Sequence, residues 1–394
     1  MNEMNNRQQL SLDFDELDVR NSNISDSEDL INVNVSDVIV YSRDWTIETI
    51  FNQINLGNID LNPKFQRRNA WNDDKRSKLI ESIVMGYPVP EIVLAENPQK
   101  KRSYIVIDGK QRLLTVAGFI DNNKYQYWDK DKLKKLNVKK DLNGLGYRDV
   151  DDNIKRELNN SSLRCTVITG FTDIQVLYDI FYRLNSGSVS LSTQELRQSL
   201  IPGDFADYLL EITNSKQLIH NVMNIEGPDR RFRDIENLLR IMSFVKYPQM
   251  YNGNLKNFLD DSMRRITSSW DSEKNNIISL YERINNAINL LSTVFDGYTS
   301  IGRKYDGDEM LGRFNKVLFE VELFYFINLD ASSIEGKKEQ FILGLKELCN
   351  NDTQFRDSIE SSTKSMENYK IRYSKFQNLV NNSFNLHLDI NPFQ

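Results

Sequence analysis

Cysteine and histidine are almost missing from this chain, whose 394 residues include only Cys165, Cys349, His220 and His387. The two cysteines are too far apart to read as a C-x-x-C metal pair and too few for a disulfide framework. With only two histidines, a zinc site is not expected. Long apolar runs are missing as well. None approaches the roughly 20 residues that span a bilayer. The polar N-terminus lacks the basic start and apolar core of a secretion signal, so a cytoplasmic protein without a membrane partner is expected. A basic excess is the third absence. The formal net charge is −6, and residues 1–35 hold eight Asp or Glu against two Arg, which leaves the rest of the chain balanced at 48 charges of each sign. That balance does not indicate a broad basic face that coats nucleic acid. It favours a small anionic ligand held by locally focused charge.

Hydrophobic residues make up 39% and charged residues 27% of the chain, enough for a packed interior in a length that exceeds one typical core. Residues 1–37 are polar, acidic and without sustained periodicity, and are expected to form a flexible arm. From 38 to 204 the patterns alternate. Ile47, Ile50, Phe51 and Ile54 fall at helical spacing. WNDDKRSKLIESIVMG reads as a second helix, with Asn72 or Asp73 as its cap and Gly86 as its stop. EIVLAE and RSYIVID read as a pair of strands, and LLTVAGFI continues from the second as a helix. After a Lys- and Asp-rich excursion over 121–160, LRCTVITGF is a further strand and IQVLYDIFYRLNSG a further amphipathic helix. From 205 to 394 the patterns are almost wholly helical. Ile277, Tyr281, Ile284, Ile288, Leu291 and Phe295 make one apolar stripe, expected to pack in a helical core. The predicted fold class is α+β, a mixed α/β N-terminal domain followed by a mainly helical C-terminal region.

Chemistry concentrates in YIVIDGKQRLLTVAGF. A strand delivers Asp108 to its end, Gly109 permits a close turn, and the following helix begins with unladdered N–H groups, which is an anion site. Lys110 and Arg112 add positive charge there, and Arg112 can grip two phosphate oxygens in a fork. Asp108 is the candidate ligand for a magnesium ion, and Gln111 is positioned to orient a water or a base edge. Three further clusters are weaker signals. PKFQRRNAWNDDKR places Arg67 and Arg68 beside Phe65 and Trp71, able to clamp a phosphate and stack a base or merely to pin a helix start. FYRLNSGSVSLSTQELRQSL sets Asn185, Ser186 and Gly187 in a loop before a Ser192–Glu195 capping box. PDRRFRDIEN brings Arg230, Arg231 and Arg233 among acids that balance them.

Taken in order, FQRRNAW, SIVMGYPVP, VIDGKQRLLTVAGF and FYRLNSGSVSLSTQELR resemble the successive boxes of the GmrSD restriction endonuclease N-terminal domain family, over roughly residues 45–205. That family is similar to ParB and sulfiredoxin proteins, in which the turn corresponding to Gly109–Arg112 receives nucleotide phosphates at a helix N-terminus. The resemblance therefore implies a ParB/sulfiredoxin-like core and a role in restriction-type defence against phage. It also implies a nucleotide site centred on Asp108, Gly109, Lys110, Gln111 and Arg112. Lys110 stands where the family usually carries Gln. The HNH nuclease module of many relatives needs several histidines and is not expected here.

Two functions remain open from the sequence. In one, Arg67, Lys110 and Arg112 hold a nucleoside triphosphate with Mg²⁺, Asp108 positions the metal, and water attacks the terminal phosphate, with a shift of the helical half gating a separate effector protein. In the other, Arg67, Arg68 and the arginines at 230–233 hold a DNA backbone while Trp71 or Phe65 stacks. A scaffold that only binds a defence partner is the third possibility. Assembly into oligomers is open.

Overall fold

The computed structural model describes residues 38–61, 71–98, 100–171, 176–177, 180 and 192–393. The chain divides into two compact units, one ending at Leu200 and one beginning at Ile201. Together they have the predicted α+β character, with a mixed five-stranded sheet and helices in the first unit and a mainly helical second unit. Among the described residues no helix is long and apolar enough to cross a membrane.

The sheet consists of β1 (Ile39–Thr46), β2 (Ile59–Asp60), β3 (Ile92–Glu96), β4 (Tyr104–Asp108) and β5 (Ser162–Thr169), in the order β1-β5-β3-β4-β2. β5 runs antiparallel to β1 and parallel to β3, while β4 runs antiparallel to β3 and parallel to β2. Position explains composition. A strand covered on both faces carries apolar side chains without alternation. Ile92 to Ala95 of β3 and Ile105 to Ile107 of β4 are all buried, whereas edge strand β1 leaves Ile39 and Val40 exposed.

The helices of this unit are α1 (Ile47–Asn55), α2 (Asp73–Val84), α3 (Lys110–Ile120), α4 (Asn122–Tyr125), α5 (Asp152–Asn160) and α6 (Thr193–Leu200). Of the two capping candidates for α2, Asn72 holds the position, accepting the Lys75 N–H at 3.0 Å. Asp73 is the first helical residue and fully buried. The helix expected over IQVLYDIFYRLNSG falls almost wholly outside the described residues.

The excursion over 121–160 is ordered by polar contacts as much as by apolar ones. Asp73, Ser77 and Glu81 recur every four residues on α2 and form one polar stripe. Asp73 accepts the Asp129 N–H at 3.3 Å, Ser77 Oγ the Lys134 N–H at 3.0 Å, and Glu81 Oε1 the Val138 and Lys139 N–H groups at 2.9 and 2.8 Å. Gly118 in mid-helix lets this segment close on α3, since a Cβ there would lie 2.8 Å from Tyr127 Cβ.

The second unit contains α7 (Asp204–Ile212), α8 (Leu218–Val222), α9 (Arg233–Lys246), α10 (Leu255–Ser268), α11 (Trp270–Val294), α12 (Lys316–Phe326), α13 (Ala331–Ile334), α14 (Lys338–Asn351), α15 (Thr353–Glu360) and α16 (Met366–Phe384). A two-stranded hairpin, β6 (Tyr305–Asp306) and β7 (Glu309–Met310), precedes α12. The predicted stripe on α11 faces the core, with Ile277, Ile284, Ile288, Leu291 and the following Phe295 buried. Buried charges in this unit are paired or hydrogen-bonded. Arg240 on α9 gives Nε and Nη2 to Glu320 Oε2 on α12 at 2.9 and 2.6 Å. His220 on α8 accepts the Gln217 N–H through Nδ1, so Nε2 carries the proton that it donates to Asp234 at 2.8 Å.

Glu322 on α12 is fully buried; its Oε2 accepts the Gly302 N–H at 2.8 Å and its Oε1 has no partner. Burial pushes its carboxyl up to about 8, against the pull of the Gly302 N–H and of Arg303. A carboxyl whose pKa is raised on folding binds its proton more tightly in the folded state. Stability therefore falls as pH rises from the ordinary glutamate value through about 8. Glu322→Gln is expected to flatten the dependence of urea-unfolding stability on pH between these limits, removing a slope of up to about 1.4 kcal/mol per pH unit. An unchanged slope in the variant would show that the carboxyl is already ionised in the folded protein.

Candidate functional site

The junction of β4 and α3 is set by a defect in the sheet. Val93 pairs with Asp108 and Leu94 with Val106, so Ile107 is the extra residue of a bulge directly before the turn. Such a bulge bends its strand and re-aims the side chains beside it. Gly109 follows at φ +94° and is the N-cap of α3. A Cβ there would come within 2.5 Å of Ile92 Cδ1 and 3.2 Å of Arg112 Nη2, so conformation favours glycine and a side chain would have to displace the Ile92 tip. The intrahelical ladder opens with Leu113 N–H donating to Gly109 O at 3.0 Å, which leaves the N–H groups of Lys110, Gln111 and Arg112 ahead of it.

The acidic and basic members of the turn engage each other. Asp108 Oδ1 accepts the Gly109 N–H at 2.6 Å and Oδ2 accepts Arg112 Nη2 at 3.0 Å; the same Nη2 donates to Glu91 O at 2.9 Å. Arg112 is 9% exposed, and its Nε is buried without a partner. The guanidinium is thus anchored to β4 and to the residue before β3, with Nη1 unbonded among the described residues. Lys110 is half-buried, and burial pushes its ammonium below the ordinary lysine value, against the pull of Glu195 and Asp60.

Gln111 is held from an unexpected direction. Its Oε1 accepts the hydroxyl of Tyr127, whose own pKa burial pushes up to about 12, against the pull of Arg76. The Arg76 guanidinium lies 4.2 Å from the Tyr127 ring centroid and donates to Asp73 Oδ1 and, at 2.5 Å, to Trp71 O. Trp71 therefore joins the turn through its carbonyl, and Lys75 Nζ sits 4.5 Å from the centre of its ring. Sequence reasoning missed Glu91, Arg76 and Tyr127. The three-residue spacing of Asp73 and Arg76 on one helix was an available signal for the second; Tyr127 offered none.

Asp108, Gly109, Lys110, Gln111 and Arg112 are brought together, with Trp71 connected behind them. Arg67, Arg68, Asn185 and Ser186, with Phe65, lie outside the described residues. The capping box beyond them is formed: Ser192 N–H donates to Glu195 Oε2 at 2.5 Å, and Glu195 N–H to Ser192 Oγ at 3.1 Å. It starts α6, which packs against β4 and carries Glu195 into the field of Lys110. In the second unit, Arg233 is committed to Asp229 through Nε and Nη2 at 3.0 and 2.8 Å, while Arg230 is exposed.

Asp108, the expected magnesium ligand, is engaged by its neighbours in the turn. Asp108 gives both oxygens to Gly109 and Arg112, and among the described residues no three His, Cys, Asp or Glu side chains gather where they could hold a metal ion. What the arrangement offers is a positive helix start with Arg112 fixed in place and Lys110 beside it.

Gly109→Ala is expected to cost about 2 kcal/mol or more in urea unfolding, because it adds the Ile92 clash to left-handed strain. Gly86 at φ +68° has the same strain but nothing within 4 Å of a Cβ, so Gly86→Ala is expected to cost only about 1 kcal/mol. Equal costs for the two would remove the steric argument for Gly109.

The family model described as "GmrSD restriction endonuclease, N-terminal domain" matches residues 47–202, a span that contains the whole Asp108–Arg112 turn. No curated protein and no solved structure matches the chain. The matched span holds β2 to β5, the bulge, the left-handed glycine and the capping box. Residues 47–202 are a GmrSD restriction endonuclease N-terminal domain.

Proposed function

We propose that the Asp108–Arg112 turn binds the phosphates of a nucleoside triphosphate, in a protein of a restriction-type anti-phage system, and that slow hydrolysis follows binding. One observation carries this reading. α3 begins with no side-chain cap and no acidic residue in its first turn, and two of its first three residues are the cations Lys110 and Arg112. The start of a helix is its positive pole, where acids are favourable and cations are not. An arriving phosphate group resolves that conflict, accepting from N–H groups ahead of the helical ladder and from both side chains.

The other side chains take roles that follow from their bonds. Asp108 and Glu91 hold the Arg112 guanidinium through Nη2 before binding and leave Nη1 to meet a phosphate oxygen, which lowers the ordering cost of that contact. Gln111, with Oε1 taken by Tyr127, presents its amide N–H₂ and acts as a donor to a phosphate oxygen or to water. No side chain of the turn is left as an unencumbered proton acceptor, and for that reason turnover is placed second to binding. The triphosphate is taken to enter as its magnesium complex, with the metal held mainly by phosphate oxygens.

The test is isothermal titration in magnesium buffer against a panel of nucleotides and a DNA duplex, with phosphate release followed on the same samples and circular dichroism confirming the fold of each variant. Arg112→Ala and Asp108→Ala are each expected to weaken nucleotide binding by about tenfold or more. If the duplex alone binds and both substitutions leave it untouched, the turn is not the site and the arginine clusters take its place. If nothing binds but a partner protein, the scaffold reading stands.

A further inference from the structure

α6 carries an anomaly beside the phosphate turn. Gln194 and Gln198, one helical turn apart, are both fully buried. Gln194 Oε1 accepts Arg197 Nη1 at 2.5 Å, while its Nε2 has no partner. Gln198 has no partner for either Oε1 or Nε2. Buried amides are almost always satisfied, and each left unpaired costs stability, so three such atoms on one helix face call for a ligand or a water. Their place is informative. α6 packs on β4, the strand that ends in Asp108, and Glu195, between the two glutamines, acts on Lys110. The Arg197 contact fixes Gln194 as a pure donor, while Gln198 keeps a donor and an acceptor.

We propose that Gln194 and Gln198 bind the heterocyclic base of the nucleotide whose phosphates sit at Gly109–Arg112. This rests on the nucleotide reading of the turn. Phosphate recognition alone needs only donors, whereas the base-pairing edge of every nucleobase carries both donors and acceptors, which the Gln198 amide matches. Buried polar groups left unpaired by the wrong ligand are also a strong source of discrimination.

The experiment separates this proposal from the phosphate reading by comparing inorganic triphosphate with nucleoside triphosphates, using the full chain and its Gln198→Met and Gln194→Met variants. Replacing the wholly unpaired Gln198 amide by an apolar side chain of similar length is expected to raise the Tm of the free protein by about 2–4 °C, whereas Gln194→Met also removes the acceptor of Arg197 Nη1 and is expected to bring no such gain. The same variants are expected to bind nucleoside triphosphates about tenfold or more weakly. Inorganic triphosphate affinity is expected to stay unchanged, which also certifies the fold of each variant. If inorganic triphosphate binds but both variants keep wild-type nucleotide affinity, the amides are satisfied by buried water and the base-site proposal falls while the phosphate site stands. If inorganic triphosphate and nucleotides both fail to bind the unmodified protein, the phosphate reading itself fails.

Discussion

Between β4 and α3 the chain changes from a strand with a buried centre to a helix across one residue, and that residue is left-handed. The constraint is doubled because Ile92 and Arg112 fill the space where a side chain would start. A single glycine therefore fixes the direction of α3, the exit of Asp108 from the sheet and the distance from Arg112 back to Glu91. The bulge at Ile107 supports the same geometry from the strand side, shifting the register just before the turn. Phosphate recognition by backbone N–H groups depends on such a fixed start, because flexible donors lose entropy on binding that rigid ones have already given up.

Behind the turn lies a second layer that is polar and buried. Asp73, Arg76, Tyr127 and Gln111 form a continuous chain of contacts from α2 to α3, and the α2 stripe of Asp73, Ser77 and Glu81 holds the backbone of the 129–139 segment. This explains why a Lys- and Asp-rich stretch with little regular structure is ordered: its N–H groups are satisfied by side chains instead of by a ladder. Partly satisfied polar layers are costly, and fully satisfied ones specify a unique arrangement. Asp73 Oδ2 and Arg76 Nε in this layer, like Gln194 Nε2 and both amide atoms of Gln198 on α6, are buried without a hydrogen-bond partner.

The second unit follows another logic. Its apolar stripes assemble a helical core in which Arg240 meets Glu320 and His220 meets Asp234. Those charges are paired inside the protein, so they are poor candidates for ligand contacts. Glu322 is the exception, held neutral by burial over much of the ordinary pH range.

The sequence by itself determined the periodic elements and the chemistry of the turn. The helices at 47–55 and 73–84, the strands at 92–96, 104–108 and 162–169, and the α11 stripe were legible because their apolar spacing records which face is buried. The close turn at Gly109 was legible because a strand pattern runs directly into Asp-Gly ahead of a helical pattern. The tertiary structure alone decided the partners. That Arg112 turns back to Glu91, that Tyr127 holds Gln111, and that α6 brings Glu195 to Lys110 depends on packing between separate segments of the chain. Side-chain hydrogen bonds of that kind leave no periodic trace, since any of several polar residues could have met each donor until the fold chose one.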